Sequence, residues 1–436
     1  MSTARLSPAR TPRLLPQVTC PHCWEVFAPE EVLWISEHGD LLGDTRLGPE
    51  QMQRFLPTRF NVEGNAIDAR GFTCFALACP ECHLPVPRCL LEMQPIFMSI
   101  LGAPASGKSY FLAAMTWELR KVLGQQFSLS FTDADTVANR TLNEYEESLF
   151  MNPNSEQLIP LGNLIRKTEV QGEMYDTVMY DQQSIRYPRP FLFSMLPQAA
   201  HINAARSAEF ARALCLYDNA GESFQPGQDT TAAPVTRHLA RASTLFYMFD
   251  PTQDSRFREL CQRDYQQTLH SGRGGPTRQE PILQEAAARV RRHAGLRHDQ
   301  RHDSPLIVVL TKYDSWSHLL DPGDQDEPWR EISRGPDEAD HPMLCLDVPA
   351  IERRSQAARQ LLCEICPEIV NSAEAFCSQV YYIPVSAVGW STSLDDNSHD
   401  LAVRPRDARP YWVTVPLLYS LAKWSPGLVP MIQQRE

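Results

Sequence analysis

One short loop constrains the fold of this chain more than any other feature of its 436 residues. Residues 95–101 are apolar and are predicted to form a buried strand. Residues 102–109 follow with the sequence GAPASGKS, which satisfies the pattern G-x-x-x-x-G-K-S/T. The next apolar residues have helical spacing: Phe111, Leu112, Met115 and Leu119. This strand–loop–helix context predicts a phosphate-binding loop in an α/β protein.

The loop offers the groups that bind a nucleoside triphosphate with Mg²⁺. Its backbone N–H groups can turn inward around the phosphates, Lys108 can reach the β- and γ-phosphates, and the Ser109 hydroxyl can bind Mg²⁺. Only five of the 41 basic residues are lysine, which indicates that position 108 needs an ammonium group. The residues predicted to contact the nucleotide here are Gly102, Ala105, Ser106, Gly107, Lys108, Ser109 and Tyr110.

A second apolar run, residues 213–217, ends in the sequence DNAGE. An acid at the carboxyl end of such a strand is placed to bind Mg²⁺ through water, so Asp218 is a predicted magnesium ligand. Gly221 can bring its N–H against a γ-phosphate because glycine tolerates close backbone approach. The residues with predicted catalytic roles are Lys108, Asp218, Gly221 and Glu222.

Two later strands carry residues that suit a guanine base. Residues 306–310 lead into the sequence TKYD, in which the Asp314 carboxylate can accept from the N1–H and N2–H₂ groups of guanine. The aliphatic stem of Lys312 can cover the plane of the base. Residues 380–385 lead into a Ser-Ala pair whose backbone can meet guanine O6. The predicted base-binding residues are Thr311, Lys312, Asp314, Ser386 and Ala387.

The twelve cysteines include three C-x-x-C pairs, two of which form a convincing metal-binding set. Cys20, Cys23, Cys79 and Cys82 are predicted to hold one structural Zn²⁺. The gap of 55 residues between the pairs exceeds the roughly 15–20 of an ordinary zinc ribbon, so residues 24–73 are predicted to form an inserted subdomain. The alternative is a set of reduced cysteines packed in a core. The third pair, Cys363 and Cys366, is interpreted as packing on one helix face.

Charge and hydropathy argue against several classes of partner. With 41 Lys+Arg against 53 Asp+Glu, the net charge of -12 does not suit a protein that coats nucleic acid or an anionic membrane. No apolar run approaches the ~20 residues of a membrane helix, and the N-terminus has no apolar signal region. A cytoplasmic location is therefore predicted, without a membrane or nucleic acid as partner.

In the order and context of these motifs, the chain resembles the Ras-like, translation-factor-related P-loop GTPases over about residues 94–424. The motifs read GAPASGKS, DNAG, TKYD and SA, and the strand 245–249 with Asp250 fits between the DNAG and TKYD motifs. The resemblance implies a doubly wound, mostly parallel α/β sheet that binds GTP or GDP with Mg²⁺, hydrolyses GTP and acts as a switch for a protein effector or regulator. The zinc-ribbon prefix, long insertions and DNAGE sequence are more similar to the bacterial double-GTPases of conflict systems.

Two departures from the family pattern bear on hydrolysis. The family's Mg²⁺-binding switch threonine has no obvious counterpart; Thr168 and Thr177 are the candidates, and Thr168 is preferred. Where many members place a water-orienting glutamine, this chain has Glu222, whose carboxylate can orient water but repels the γ-phosphate. Slow hydrolysis, or hydrolysis assisted by a partner's arginine, is therefore expected.

The predicted domain organisation follows from these motifs. It comprises a disordered tail (1–17), a zinc-ribbon-like module with an insert (18–92), a P-loop GTPase domain (94–424) with inserts at about 120–190, 254–305 and 315–378, and a C-terminal tail (425–436). Two alternative functions remain open at this point. One is a P-loop ATPase or nucleotide kinase in which TKYD is coincidental, and the other is a nucleotide-binding scaffold that hydrolyses nothing.

Overall fold

The N-terminal part of the chain is a module of short strands around four cysteines. The computed structural model describes residues 14–165, 175–181, 183–219, 224, 237–262, 278–320, 327–332, 343–395 and 400–432. Strands β1 to β7 of the module are Val18–Thr19, Val26–Phe27, Leu33–Ile35, Leu42–Asp44, Gly48–Met52, Arg54–Phe55 and Leu77–Ala78, followed by helix α1, Cys89–Glu92. They pair as β1–β2, β4–β5 and a small sheet in the order β6–β3–β7.

The rest of the chain alternates strands and helices. Strands β8 to β22 are Gln94–Gly102, Leu129–Asp133, Ile159–Pro160, Tyr175–Tyr180, Gln183–Pro188, Phe191–Pro197, Arg212–Asp218, Thr244–Phe249, Leu306–Leu310, Trp329–Ile332, Met343–Asp347, Val380–Pro384, Thr392–Leu394, Leu401–Val403 and Met431–Ile432. Among the described residues, α-helices α2 to α12 are Lys108–Phe127, Arg140–Phe150, Leu161–Leu164, Ser207–Phe210, Arg237–Arg241, Ser255–Arg258, Glu280–Ala294, Tyr313–Trp316, Val348–Ile365, Pro367–Phe376 and Val415–Trp424.

A mixed seven-stranded sheet forms the centre of the α/β part, in the order β19–β16–β15–β8–β14–β13–β9. Strands β8, β14, β15, β16 and β19 are parallel, whereas β13 runs antiparallel to both of its neighbours. The α/β class with a predominantly parallel sheet was thus predicted, as were the five parallel strands, because strands buried on both faces read as continuous apolar runs.

The strand order reverses beside β8. The chain leaves β8, returns through β14 on one side of it, and then crosses to β15 on the other side. In open α/β sheets such a reversal opens a crevice outside the carboxyl ends of the strands, and ligands bind there. The loop after β8 and the polar residues after β14, β15, β16 and β19 all lie at this edge, because these strands are parallel and in register.

Two predicted segments contain packed elements. Within the predicted insert at about 120–190, α2 continues to Phe127 and β9 extends the main sheet through β13. Within the predicted C-terminal tail, Leu428 and Val429 are buried, and β22 pairs with β18. Burial of these apolar side chains favours the packed arrangement of residues 428–432.

The N-terminal module covers one face of β13 and β14. Side chains alternate along β14, so Ala213, Cys215 and Tyr217 face the module while Leu214 and Leu216 face the main core. The first three share one buried cluster with the four cysteines of the module. The module is therefore continuous with the sheet through a common apolar core.

Candidate functional site

The loop between β8 and α2 is a tight turn that requires glycine at two positions. A Cβ atom on Gly102 would lie 2.7 Å from the Met248 carbonyl oxygen of β15, so only glycine fits this close approach. Gly107 is left-handed, with φ +89°, and immediately precedes the first residue of α2. The loop thus ends at the N-terminus of a 20-residue helix, where the positive end of the helix dipole favours an anion.

Lys108 lies over this loop. Its Nζ donates to the carbonyl oxygens of Gly102 at 3.0 Å and Ala103 at 2.8 Å. Ser106 is fully buried, and its hydroxyl has no hydrogen-bond partner among the described residues. The Lys108 ammonium therefore lies against the carbonyl groups at the carboxyl end of β8.

Asp218 and Asn219 lie at the end of β14, next to this loop. Both are buried, at 6% and 0% exposure, and Oδ1 of each has no hydrogen-bond partner in the described part of the chain. Asn219 is fixed through its Nδ2, which donates to Ile100 O at 2.8 Å. Burial raises the pKa of Asp218, and the positive charge of Lys108 opposes that rise. A buried, unpartnered carboxylate oxygen beside a phosphate-type loop fits a hydrated Mg²⁺ ion.

A pocket of about 110 Å³ joins the GAPASGKS loop, the TKYD segment and the Ser-Ala pair. The sequence-predicted residues that line it are Gly107, Tyr110, Thr311, Lys312, Asp314, Ser386 and Ala387. These residues come from three segments of the chain that are up to 280 positions apart. Their convergence beside the loop leaves a polar floor and apolar walls, as a nucleotide base requires.

The carboxylate of Asp314 is held at the floor of this pocket. Asp314 is 3% exposed, and its Oδ1 accepts a hydrogen bond of 2.5 Å from the Ser386 hydroxyl. Ser386 Oγ in turn accepts from the backbone N–H of Gly389 at 2.9 Å. A Cβ on Gly389 would lie 2.0 Å from Arg409 O, so this turn also requires glycine. The serine predicted to contact the base therefore also orients the predicted base-reading carboxylate.

The position of Lys312 depends on Asp250, which the sequence places only at the end of a predicted strand. Lys312 has a left-handed backbone, φ +53°, and its Nζ donates to Asp250 Oδ2 at 2.6 Å and to Thr252 Oγ1 at 3.1 Å. Asp250 is fully buried and is further bonded by the backbone N–H and hydroxyl of Thr252. Because the ammonium is anchored in this way, the stem of Lys312 is held along the pocket wall.

Residues outside every predicted motif complete the pocket. The small sheet β10–β21–β20 brings Thr392 and Leu401 to the wall, and Leu161 follows β10 directly. The Tyr110 hydroxyl donates to Leu161 O at 2.5 Å, and burial raises the pKa of Tyr110. These strands have only two or three residues, and β10 pairs with β21 over more than 200 positions, so they leave no periodic signal in the sequence.

The four predicted zinc ligands form one buried cluster. Their Sγ atoms all lie within 4.8 Å of one another, and the Cys20–Cys82 and Cys23–Cys79 sulfur pairs are each 3.7 Å apart. Sulfurs at about 2.3 Å around a tetrahedral Zn²⁺ would be about 3.8 Å apart, and a disulfide would need about 2.0 Å. The cluster could therefore bind Zn²⁺.

The two cysteine knuckles have the same backbone. The N–H of His22 points to Cys20 Sγ and that of Glu81 points to Cys79 Sγ, both at 3.4 Å. Trp24 and His83, which follow the second cysteine of each pair, are left-handed with φ of +60° and +62°. Backbone N–H groups directed at the sulfurs stabilise thiolates, which is the ligand form that a metal requires.

Only one member of the third cysteine pair packs in the protein interior. Cys366 is buried, whereas Cys363 is exposed. Helix α10 ends at Ile365 and Cys366 has φ -132°, so the two residues do not share a helix face as predicted.

We expect one Zn²⁺ per chain, and we expect the Cys79→Ser variant to lose it and to become less stable. Structural zinc contributes directly to folding free energy because the ligands gather only in the folded chain. Elemental analysis and thermal melting of purified protein measure both effects. Cys74→Ser is the matched control, since Cys74 is equally buried in the same module but lies outside the cluster. Equal zinc content in wild type and Cys79→Ser would contradict the assignment.

Three predicted site residues, Thr168, Gly221 and Glu222, lie outside the described residues. Thr177, the second switch-threonine candidate, is in β11, in the hairpin with β12. Ser109 is in the first turn of α2, directly after Lys108.

Comparison with known proteins adds a distant and partial relative. The chain matches no protein-family model. It is 28% identical over 182 residues to the "Putative ESX-1 scaffolding and assembly protein SaeC" of Mycolicibacterium smegmatis. The match covers 42% of this chain and 40% of the length of that relative. Within the described ranges, no helix combines the length and apolar character that crossing a membrane requires.

Proposed function

We propose that this chain is a P-loop GTPase, which binds GTP with Mg²⁺, hydrolyses it slowly to GDP and phosphate, and acts as a switch for a protein partner. The observation that carries the proposal is the convergence of three separate predicted motifs on one pocket. Gly107 from the loop, Asp314 from the TKYD segment and Ser386 from the Ser-Ala pair all line it, beside the reversal in strand order.

The proposed chemistry is positioning and electrostatic stabilisation. The N–H groups of the loop hold the phosphates, and the Lys108 ammonium moves from the loop carbonyls to the β- and γ-phosphate oxygens. Ser109 and Asp218 would hold Mg²⁺, which would supply positive charge that stabilises the phosphate oxygens. A water molecule attacks the γ-phosphorus, the bond to the β,γ-bridging oxygen breaks, and Lys108 stabilises the charge that develops there.

Selection of guanine follows from the groups at the pocket floor. The Asp314 carboxylate accepts from guanine N1–H and N2–H₂, and the Ser386 hydroxyl keeps it oriented. Adenine has no such pair of donors on that edge. The Lys312 stem, anchored through Asp250, covers one face of the base.

Phosphate release from GTP-loaded protein in a single turnover tests this proposal. The expected rate is on the order of 10⁻³ s⁻¹ or slower, because the chain offers Glu222 where a glutamine would orient water without repelling the γ-phosphate. An excess of unlabelled GTP should displace the bound nucleotide and an equal excess of ATP should not. Displacement by both would favour the P-loop ATPase or kinase alternative.

A second candidate is a nucleotide-binding scaffold that hydrolyses nothing. An exposed apolar groove of about 410 Å³ on the N-terminal module favours it, because such surfaces are characteristic of protein–protein interaction sites. Its lining includes Leu14, Val32, Trp34, Leu56, Phe60 and Phe75. The scaffolding role in the name of the partial relative also supports it. GTP binding without any phosphate release above the spontaneous background would favour this candidate.

A further inference from the structure

Trp24 joins the first cysteine knuckle to the end of β14. Its indole Nε1 donates to the Tyr217 hydroxyl at 3.1 Å, and that hydroxyl donates to Pro21 O in the same knuckle at 2.5 Å. Trp24 is 2% exposed and Tyr217 is fully buried. Tyr217 directly precedes Asp218, so the knuckle contacts the residue next to the proposed Mg²⁺ ligand.

The geometry of the knuckle sets the direction of Trp24. Trp24 follows Cys23, and its left-handed backbone is held by a hydrogen bond from its N–H to Cys20 O at 3.2 Å. His83 has the same place in the other knuckle, but its ring bonds Asp44 within the module at 2.8 Å. The knuckle of Cys20 and Cys23 is therefore the one that faces β14.

Trp24 also contacts helix α6. Its ring stacks on His238 with a centroid distance of 5.6 Å, and its carbonyl oxygen accepts from Arg241 Nη1 at 2.5 Å. His238 is fully buried and also packs against Tyr217 at 4.7 Å. One side chain thus touches the elements on both sides of residues 219–236, the part of the sequence that contains Gly221 and Glu222.

We infer that Trp24 and Tyr217 are positioning residues that couple the metal-loaded knuckle to the Mg²⁺ side of the nucleotide site. This inference rests on the proposed function. Alternation along β14 places Tyr217 toward the module and Asp218 toward the opposite face, so a shift of the Tyr217 hydroxyl moves the Asp218 backbone with it. Mg²⁺ demands near-ideal octahedral geometry, and a small displacement of Asp218 weakens its binding.

Conservative variants of the full chain test the coupling. Tyr217→Phe removes the linking hydroxyl and Trp24→Phe removes the indole N–H, while both keep an aromatic ring. Tyr382→Phe is the matched control, because Tyr382 is a buried tyrosine on β19 whose hydroxyl bonds Glu374 away from the module. The measurements are zinc content, hydrogen exchange of residues 212–219 and 237–241, and GTP affinity with and without Mg²⁺.

In both test variants we expect the zinc content to be unchanged. Hydrogen exchange of residues 212–219 and 237–241 should become about fivefold faster, because one hydrogen bond is lost. The gain in GTP affinity that Mg²⁺ provides should fall by a similar factor of about five, with Mg²⁺-free affinity unchanged. Chelation of zinc from the wild type should accelerate exchange in the same two segments. The control should match the wild type in every measurement.

Two outcomes overturn the inference. One is that both test variants have the same hydrogen-exchange rates as the wild type. The other is that exchange becomes faster while the Mg²⁺-dependent gain in GTP affinity stays intact. A wild-type chain that binds no GTP would instead contradict the proposed function. Exchange of residues 212–219 in the zinc-retaining variants would then still decide whether the knuckle positions the end of β14.

Discussion

Replacing Asp314 by asparagine is expected to weaken GTP binding and to create affinity for xanthosine triphosphate. The wild-type carboxylate can accept two charge-assisted hydrogen bonds from guanine, and their loss should cost about two to three orders of magnitude in affinity. Asparagine offers one acceptor and one donor, which match the N1–H and the C2 carbonyl of xanthine. Competition binding with the two triphosphates measures the change.

Ser386→Ala is the control for this exchange of specificity. It removes the hydroxyl that bonds Asp314 but leaves the carboxylate in place. Its affinity for GTP is expected to fall about fivefold, because one orienting hydrogen bond is lost, and its affinity for xanthosine triphosphate should not increase. If Asp314→Asn bound GTP as tightly as the wild type and had no increased affinity for xanthosine triphosphate, the proposal that the pocket recognises guanine would be wrong.

Replacing Lys108 by alanine is expected to weaken the binding of both GTP and GDP by at least about 100-fold. The ammonium is partly buried over the loop and would make charge-assisted hydrogen bonds to phosphate oxygens, which are roughly twice as strong as neutral ones. Isothermal titration with each nucleotide measures the loss. Thermal melting of the variant without nucleotide checks that the loop, which loses the donor to two carbonyl oxygens, still folds.

Lys121→Ala provides the matched loss of one positive charge on the same helix. Lys121 is exposed and pairs with Glu118 at 3.0 Å, away from the loop. Its removal should leave both nucleotide affinities unchanged, since exposed ion pairs contribute little. Equal affinities in Lys108→Ala and Lys121→Ala would mean that residues 102–109 do not bind phosphate.

The five parallel strands were predictable because most of their residues are buried. Strand β16, Leu306–Leu310, is fully buried and is therefore a continuous apolar run, and it ends at the polar TKYD segment. The same pattern marks β8 before its loop and β14 before Asp218. Burial on both faces removes the need for alternation, and the turn to polar residues marks the carboxyl edge.

The antiparallel edge of the sheet was not predictable from local patterns. Strand β9 has only five residues, and its partner β13 lies about 60 positions later, so neither strand can be recognised without the other. The ion pair between Asp250 and Lys312 was not predictable for the same reason. Both residues were noted at strand ends, but only the parallel register of β15 and β16 brings their side chains to 2.6 Å.

The central place of β8 has a consequence for the order of folding during synthesis. This strand is made early, yet its two neighbours begin at residues 212 and 244, and the base pocket also needs residues 386 and 401. Contacts of such long sequence separation form slowly, because the entropy of closing the loops must be overcome first. A nascent chain that stops before residue 306 lacks β16 and β19 as well as the base pocket, so it exposes the apolar edge of β15 and is prone to aggregate until residues 306–401 have left the ribosome.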